Sequence, residues 1–262
     1  MNFNRIILLV KRAWTLTFRG IDPLTDFFYW PLFDIIVWGF TGSWMSENTS
    51  NPQLAVIILT SLVLWQAVYR TNLDISYNFL TELWSRNMIN LFVTPLTIQE
   101  WIFANMLAGA INACIATVFA MSAVWLLYGI FIPSIGFLFP FLAFCLFFSG
   151  WSLGLVTTSV LVTQGAQAQK IVWVMGWLFV PFMGIFYPVD IMPLWAQAIA
   201  YSLPMTYFFK ILRTYLQFGT FDMSLFTAGA ALSCVYFITA FSLFIYFFQR
   251  SRHYGLARLE DM

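Results

Sequence analysis

The sequence predicts an all-α integral membrane protein with six transmembrane helices. An N-terminal amphipathic interfacial helix precedes them, and a re-entrant helical hairpin stands before the last span. Three observations carry this prediction. Hydrophobic residues make up 61% of the chain and charged residues 9%, with a mean hydropathy of +0.81, whereas soluble domains carry about 25% charge. Six apolar runs follow one another with short gaps and no Ser/Gly-rich or Pro-rich linker, so residues 1–262 read as a single transmembrane domain. Before the last run lies a stretch too apolar for a loop and too broken for a span.

That stretch is 184–213, GIFYPVDIMPLWAQAIAYSLPMTYFFKILR. Pro188, Pro193 and Pro204 cut it into short pieces, because proline removes a backbone donor and clashes with the preceding turn. A crossing helix needs about 20 uninterrupted apolar residues. Yet Ile185, Phe186, Ile191, Trp195, Ile199, Tyr201 and Tyr207 belong out of water. The expected compromise, over 186–213, is a pair of short helices entering the membrane face and returning. Broken backbone at that depth needs protein or a cavity to cover it.

The remaining elements follow in order. Over 3–19, Arg5, Arg12 and Arg19 share one helical stripe with Lys11 beside it, and Phe3, Ile7, Val10, Trp14 and Phe18 fall opposite. A basic face backed by an apolar face describes a helix lying in the membrane interface. Its apolar core is shorter than that of a signal peptide and is followed at once by Lys11 and Arg12, so no cleavable leader is expected. Gly20 and Asp22-Pro23 end it. Spans are placed at 27–45, 54–74, 101–128, 137–162, 171–187 and 225–249. With the termini inside, the cytoplasmic side receives Arg5, Lys11, Arg12, Arg19, Arg70, Arg86, Lys170, Arg250, Arg252 and Arg258. The outside receives Lys210 and Arg213 alone, which orients the chain by the positive-inside rule. Ala104, Ala108, Asn112, Ala116 and Ala120 repeat every fourth residue in the third span, and Gly150, Gly154 and Thr158 in the fourth. Such stripes let helices approach closely in lipid.

Catalytic chemistry finds little support. The single histidine, His253, lies in the tail, and no nucleophile elbow, paired zinc ligands or Mg²⁺-type acidic cluster is present. Asp22 and Asp26 suit helix capping. Cys114, Cys145 and Cys234 lack metal or redox spacing. A net charge of +1 argues against nucleic acid. The phosphate-cradling GxxxxGK[ST] loop is absent, so any ATP is expected on a separate polypeptide.

The internal segment 80–96 is more than a connector. Glu82 precedes Arg86 by four residues, the favoured order for a helical ion pair. Leu83, Met88, Leu91 and Phe92 supply an apolar patch, and Thr94-Pro95 stops the helix. Charge inside the membrane is expensive. Asp34, seven residues into the first span, is expected to face protein or a watery path; Arg70 and Asp74, near the end of the second, are expected to pair and snorkel. Trp30, Trp44, Trp101 and Trp195 fall near span ends, as interfacial belts do, whereas Trp65, Trp125, Trp151, Trp173 and Trp177 fall where a conduit could be lined.

Several of these stretches share a resemblance. Tyr187-Pro188, Met192-Pro193 with Trp195, Pro204-Met205-Thr206-Tyr207 and Arg213 resemble the re-entrant region of the type-2 ATP-binding-cassette exporter permeases. Arg19, Asp22-Pro23-Leu24, Pro31 and Gly39 resemble that family's entry to its first span, and Glu82, Arg86 and Thr94-Pro95-Leu96 its coupling helix. The resemblance implies an external re-entrant segment. It also implies a helix that docks into an ATPase subunit through Glu82, Arg86, Asn90, Thr94 and Pro95. Two ATPase subunits, a second permease copy and membrane lipids are the implied partners, with ATP and Mg²⁺ on the ATPase and no cofactor on this chain. The implied location is the cytoplasmic (inner) membrane of a bacterium or archaeon, with both termini cytoplasmic. The implied substrate is a hydrophobic compound, a lipid-linked glycan or a polysaccharide moving outward. Lys210 and Arg213 share a helix face there, either merely solvated or paired, or attracting an anionic group in the path. The alternative function is a membrane-embedded enzyme acting on a lipid-linked substrate, which would need a polar catalytic cluster at the interface. A non-transporting assembly factor is the third reading.

Overall fold

The computed structural model describes residues 2–19, 24–49 and 53–254, and all elements among them are helical. Gly20, Asp22, Pro23 and Arg258, used in the sequence reading, lie outside the described residues, as does the side chain of Arg19. Helix α1 is Phe3–Arg19. A π-helical turn, Thr25–Tyr29, leads into α2, Trp30–Thr49; then come α3, Gln53–Trp84, and the short α4, Met88–Val93. Helices α5, Ile98–Tyr128, and α6, Leu138–Gln164, complete the central bundle. After them follow α7, Ile171–Leu178; α8, Leu194–Ser202; α9, Pro204–Phe218; and α10, Met223–Tyr254.

Among the described residues, four helices are long and apolar enough to cross a membrane: α3, α5, α6 with its terminal turn, and α10. Helix α2 has 20 residues, about 30 Å at 1.5 Å per residue, but is diluted by Asp34, Thr41, Ser43, Ser46 and Glu47. The helix expected over 171–187 is corrected. Helix α7 stops at Leu178, a 3₁₀ turn carries Pro181, and Gly184 adopts a left-handed φ of 74°. Proline cannot supply the next ladder donor, and a left-handed residue turns the chain away from the helix axis.

Helix α3 is the pillar. Every residue from Ile57 to Ser76 is buried, with α5 and α6 packed against it and α10 against α6. The small-residue stripes make this approach possible. A Cβ on Gly150 would come 1.9 Å from Thr71 Oγ1 and 2.5 Å from the Val68 carbonyl, and one on Gly154 would come 2.9 Å from the Asn72 carbonyl. On α5, Ala104, Ala108, Asn112, Ala116 and Ala120 are all buried. Small side chains replace the hydrophobic drive with close contact, since lipid already solvates apolar surface.

The proline-rich stretch uses its prolines as helix starts. Pro204 occupies the first turn of α9, where its missing N–H has no intrahelical partner to lose. Helix α9 runs 15 residues, longer than the proline spacing suggests, and continues past Arg213 to a left-handed Gly219. Phe208, Phe209, Ile211 and Leu212 anchor it in the main core. Helix α8 instead belongs to a satellite core of Val189, Met192, Ala196 and Ala200. At 9 residues, about 14 Å, it is too short to cross a bilayer.

Candidate functional site

Three places hold the residues singled out by the sequence. The first is the turn after α3. Leu83 and Glu82 carbonyls accept from the backbone N–H groups of Arg86 and Asn87, both at 3.0 Å, and Arg86 has φ 50°. This is a Schellman stop with arginine at the left-handed position that glycine normally takes. The expected Glu82–Arg86 ion pair is therefore corrected: Arg86 has left the helix, and its side chain is exposed. Glu82 is buried, accepting from Arg12 of α1 at 2.8–2.9 Å and from Asn87 Nδ2 at 2.8 Å.

Beyond the stop, Met88 is buried, and Phe92 meets Phe248 of α10 at 4.9 Å between centroids. Asn90, Val93, Thr94 and Pro95 point outward, Val93 with 79% of its surface exposed. Thr97 and Glu100 then form a reciprocal capping box at the start of α5. Glu100 also accepts from the backbone N–H of Asn2 at 2.6 Å and lies 3.7 Å from Arg5 Nη1, while Arg5 donates to the Pro95 carbonyl. The basic stripe of α1 thus clamps both ends of the 84–97 turn. Sequence reasoning missed this clamp, although Thr97-x-x-Glu100 is a readable capping signal; nothing local pairs Arg12 with Glu82, 70 residues apart.

The second place is inside the bundle. Arg70 Nε lies 3.5 Å from Asp74 Oδ1, Asn112 Nδ2 donates to Asp74 Oδ2 at 2.8 Å, and the guanidinium sits 4.4 Å over the Phe27 ring. Snorkelling is corrected. Helix α3 continues to Trp84, and both charged side chains are buried in protein. Next to this network, α2, α3 and α7 enclose an open cavity of about 510 Å³, lined by Asp26, Trp30, Pro31, Phe33, Asp34, Trp65, Gln66, Tyr69, Trp173 and Trp177. Asp34 therefore faces a cavity. Asp26, expected as a cap, lies within the π-helical turn and faces the same cavity. Gly176 allows α7 to come this close, since a Cβ there would meet the Tyr69 ring at 2.7 Å. The expected lining tryptophans divide. Trp65, Trp173 and Trp177 line the cavity, Trp151 packs among Phe147, Phe148 and Phe237, and Trp125 is exposed on α5. Trp101, in the first turn of α5, is buried against Phe79 and Phe244.

The third place is the proline-rich segment. Tyr187 donates to the Pro181 carbonyl at 2.7 Å, and Tyr207 to the Tyr201 carbonyl at 3.0 Å. Pro188 and Pro193 precede the two short helical pieces, and Trp195 stands exposed with its ring 6.0 Å from Phe182. Lys210 lies 3.4 Å from Asp190 and donates to the Tyr201 hydroxyl at 3.0 Å. Arg213, 8% exposed, donates to the carbonyls of Gly184 and Ile185 at 3.3 and 3.4 Å. The two cations share a face, as their spacing predicts. Each is engaged: Lys210 ties α9 to the turn before α8, and Arg213 holds the backbone where α7 has ended.

Comparison with curated proteins gives no match. A family model, however, matches residues 4–216, from α1 through the proline-rich segment and into α9. That match takes in the clamp, the cavity and the proline-rich turns together, and by it the chain belongs to the ABC-2 type transporter family, as a multi-pass permease subunit of an ABC transporter.

Proposed function

We propose that the chain is the permease of an ATP-driven exporter, working with a second permease copy and two ATPase subunits. In this reading both termini and the 84–97 turn are cytoplasmic, the 186–213 segment is external and re-entrant, and six segments cross the inner membrane of a bacterium or archaeon. Residues 1–262 act as one transmembrane unit. ATP and Mg²⁺ belong to the partner ATPase. The cargo is hydrophobic or lipid-linked, in keeping with the aromatic wall of the cavity.

The observation that carries this reading is the exposed tip at Asn90, Val93, Thr94 and Pro95, built on the end of the central helix. A helix resists bending along its axis. A push at the tip therefore reaches Gln66 in the cavity wall, 18 residues before Trp84 and about 27 Å along α3 at 1.5 Å per residue. The Arg12–Glu82 and Arg5–Glu100 pairs carry α1 with it. Glu82 is a poor probe of docking because it is buried under Arg12; Val93 is a good one.

The test is Val93→Asp, an exposed change that leaves the core untouched. Co-purification with the partner ATPase is expected to fall at least about tenfold, as when a charge is buried unpaired in an interface. The variant should retain the parent melting temperature. Normal co-purification and normal substrate-stimulated ATP hydrolysis would remove the tip from the mechanism.

A further inference from the structure

The cavity between α2, α3 and α7 holds a charge that the described protein does not balance. Asp34 lines it, and none of the ion pairs among the described residues includes Asp34. Asp26 stands in the same wall, and among the described residues no lysine or arginine does. The nearby Arg70 is engaged by Asp74 and lies over Phe27. A carboxylate removed from bulk water needs a counter-charge, and hydrocarbon supplies none.

The rest of the wall is aromatic. Trp65, Tyr69 and Trp177 form a triad with ring centroids 5.9–6.2 Å apart, and Trp30 stands half-exposed beside Asp34. Ring faces carry negative potential and attract cations within about 6 Å, most strongly where water is excluded. The volume of about 510 Å³ matches clefts that hold drug-sized ligands.

We infer that this cavity is a binding site for an amphipathic organic cation, an amine or quaternary ammonium on an aromatic or alkyl body. The inference rests on the permease reading, for which it names the substrate class. A neutral glycan can stack on the same rings but leaves the Asp34 charge unmatched. An anionic lipid head group is repelled by Asp34.

The experiment is equilibrium binding to the full chain in nanodiscs, followed by tryptophan fluorescence. The probes are benzyltrimethylammonium, its neutral carbon isostere neopentylbenzene, and maltoheptaose. The cation is expected to bind at least about tenfold more tightly than either neutral probe. Asp34→Asn should erase that preference while leaving neopentylbenzene binding unchanged, and Asp34→Glu should keep most of it. Trp177→Leu should weaken the cation about tenfold, and supplies the same comparison if Asp34→Asn does not fold. Equal binding of cation and isostere, tighter binding of maltoheptaose, or a cation affinity indifferent to both positions would overturn the proposal. No ATPase is present in this assay. A failed cation site therefore leaves the coupling reading standing, and a failed Val93→Asp test leaves this one standing.

Discussion

Helices α3 and α10 are each 32 residues long, and the more apolar of the two is the more exposed. The apolar window of α3 is 83% buried and that of α10 is 22% buried. In water this order would be inverted. In lipid, apolar side chains are solvated wherever they point, so burial is assigned by polar groups and by small ones. Helix α3 buries Thr60, Ser61, Gln66, Arg70, Thr71, Asn72, Asp74 and Ser76, whereas α10 exposes Val235, Ile238, Leu243 and Tyr246. The buried helix therefore pairs, packs and lines the cavity, and the exposed one presents apolar side chains outward.

The sharpest way to break this contrast is steric. Gly150→Val would drive its side chain into Thr71 and the Val68 carbonyl, where backbone cannot yield. A loss of about 4 kcal/mol or more is expected, among the largest single-site effects, visible as loss of the folded species on size exclusion. The matching change on the exposed helix, Ile238→Ala, should stay within about 0.5 kcal/mol. If the two variants melt alike, burial of α3 is not what holds the bundle.

The next effect is electrostatic. Asp74→Leu leaves Arg70 buried without its partner, and breaking such a pair from one side costs about 3–5 kcal/mol. Replacing both, Asp74→Leu with Arg70→Met, should recover most of that loss in thermal melts. Failure of the double variant to recover would mean that the Asp74–Asn112 bond, not the charge pair, carries the stability.

The smallest effect concerns how α3 stops. Arg86 is the non-glycine residue with positive φ among those described, and left-handed backbone strains an L-residue. Arg86→Gly is expected to stabilise the chain by about 0.5–1 kcal/mol, because glycine takes that conformation without strain. A lower melting temperature would show that the exposed Arg86 side chain makes contacts that outweigh the strain.

Particular residues show where the sequence was legible. The Gly150–Gly154–Thr158 and Ala104–Ala120 stripes announced buried packing faces, because small side chains at every fourth position favour close approach. The prolines announced short helices, because their covalent geometry acts locally. Asp34 announced a cavity or a partner, because an isolated carboxylate in an apolar run has few stable environments. The Glu82–Arg86 pairing failed because it assumed an unbroken helix, and one left-handed residue redirected both side chains.

Composition and local pattern by themselves determined the helical membrane class, the amphipathic N-terminal helix and the broken character of 184–213. These follow from desolvation and backbone geometry, which act residue by residue. Tertiary structure alone decided that Arg12 reaches Glu82, that Asp26 joins Asp34, and that Trp65, Tyr69 and Trp177 face one another. Those contacts join α1 to α3, α2 to its own entry turn, and α3 to α7. The last of these depends on how closely the backbone of α7 can approach α3 at Gly176, and all are a three-dimensional fit that no single stretch of chain contains.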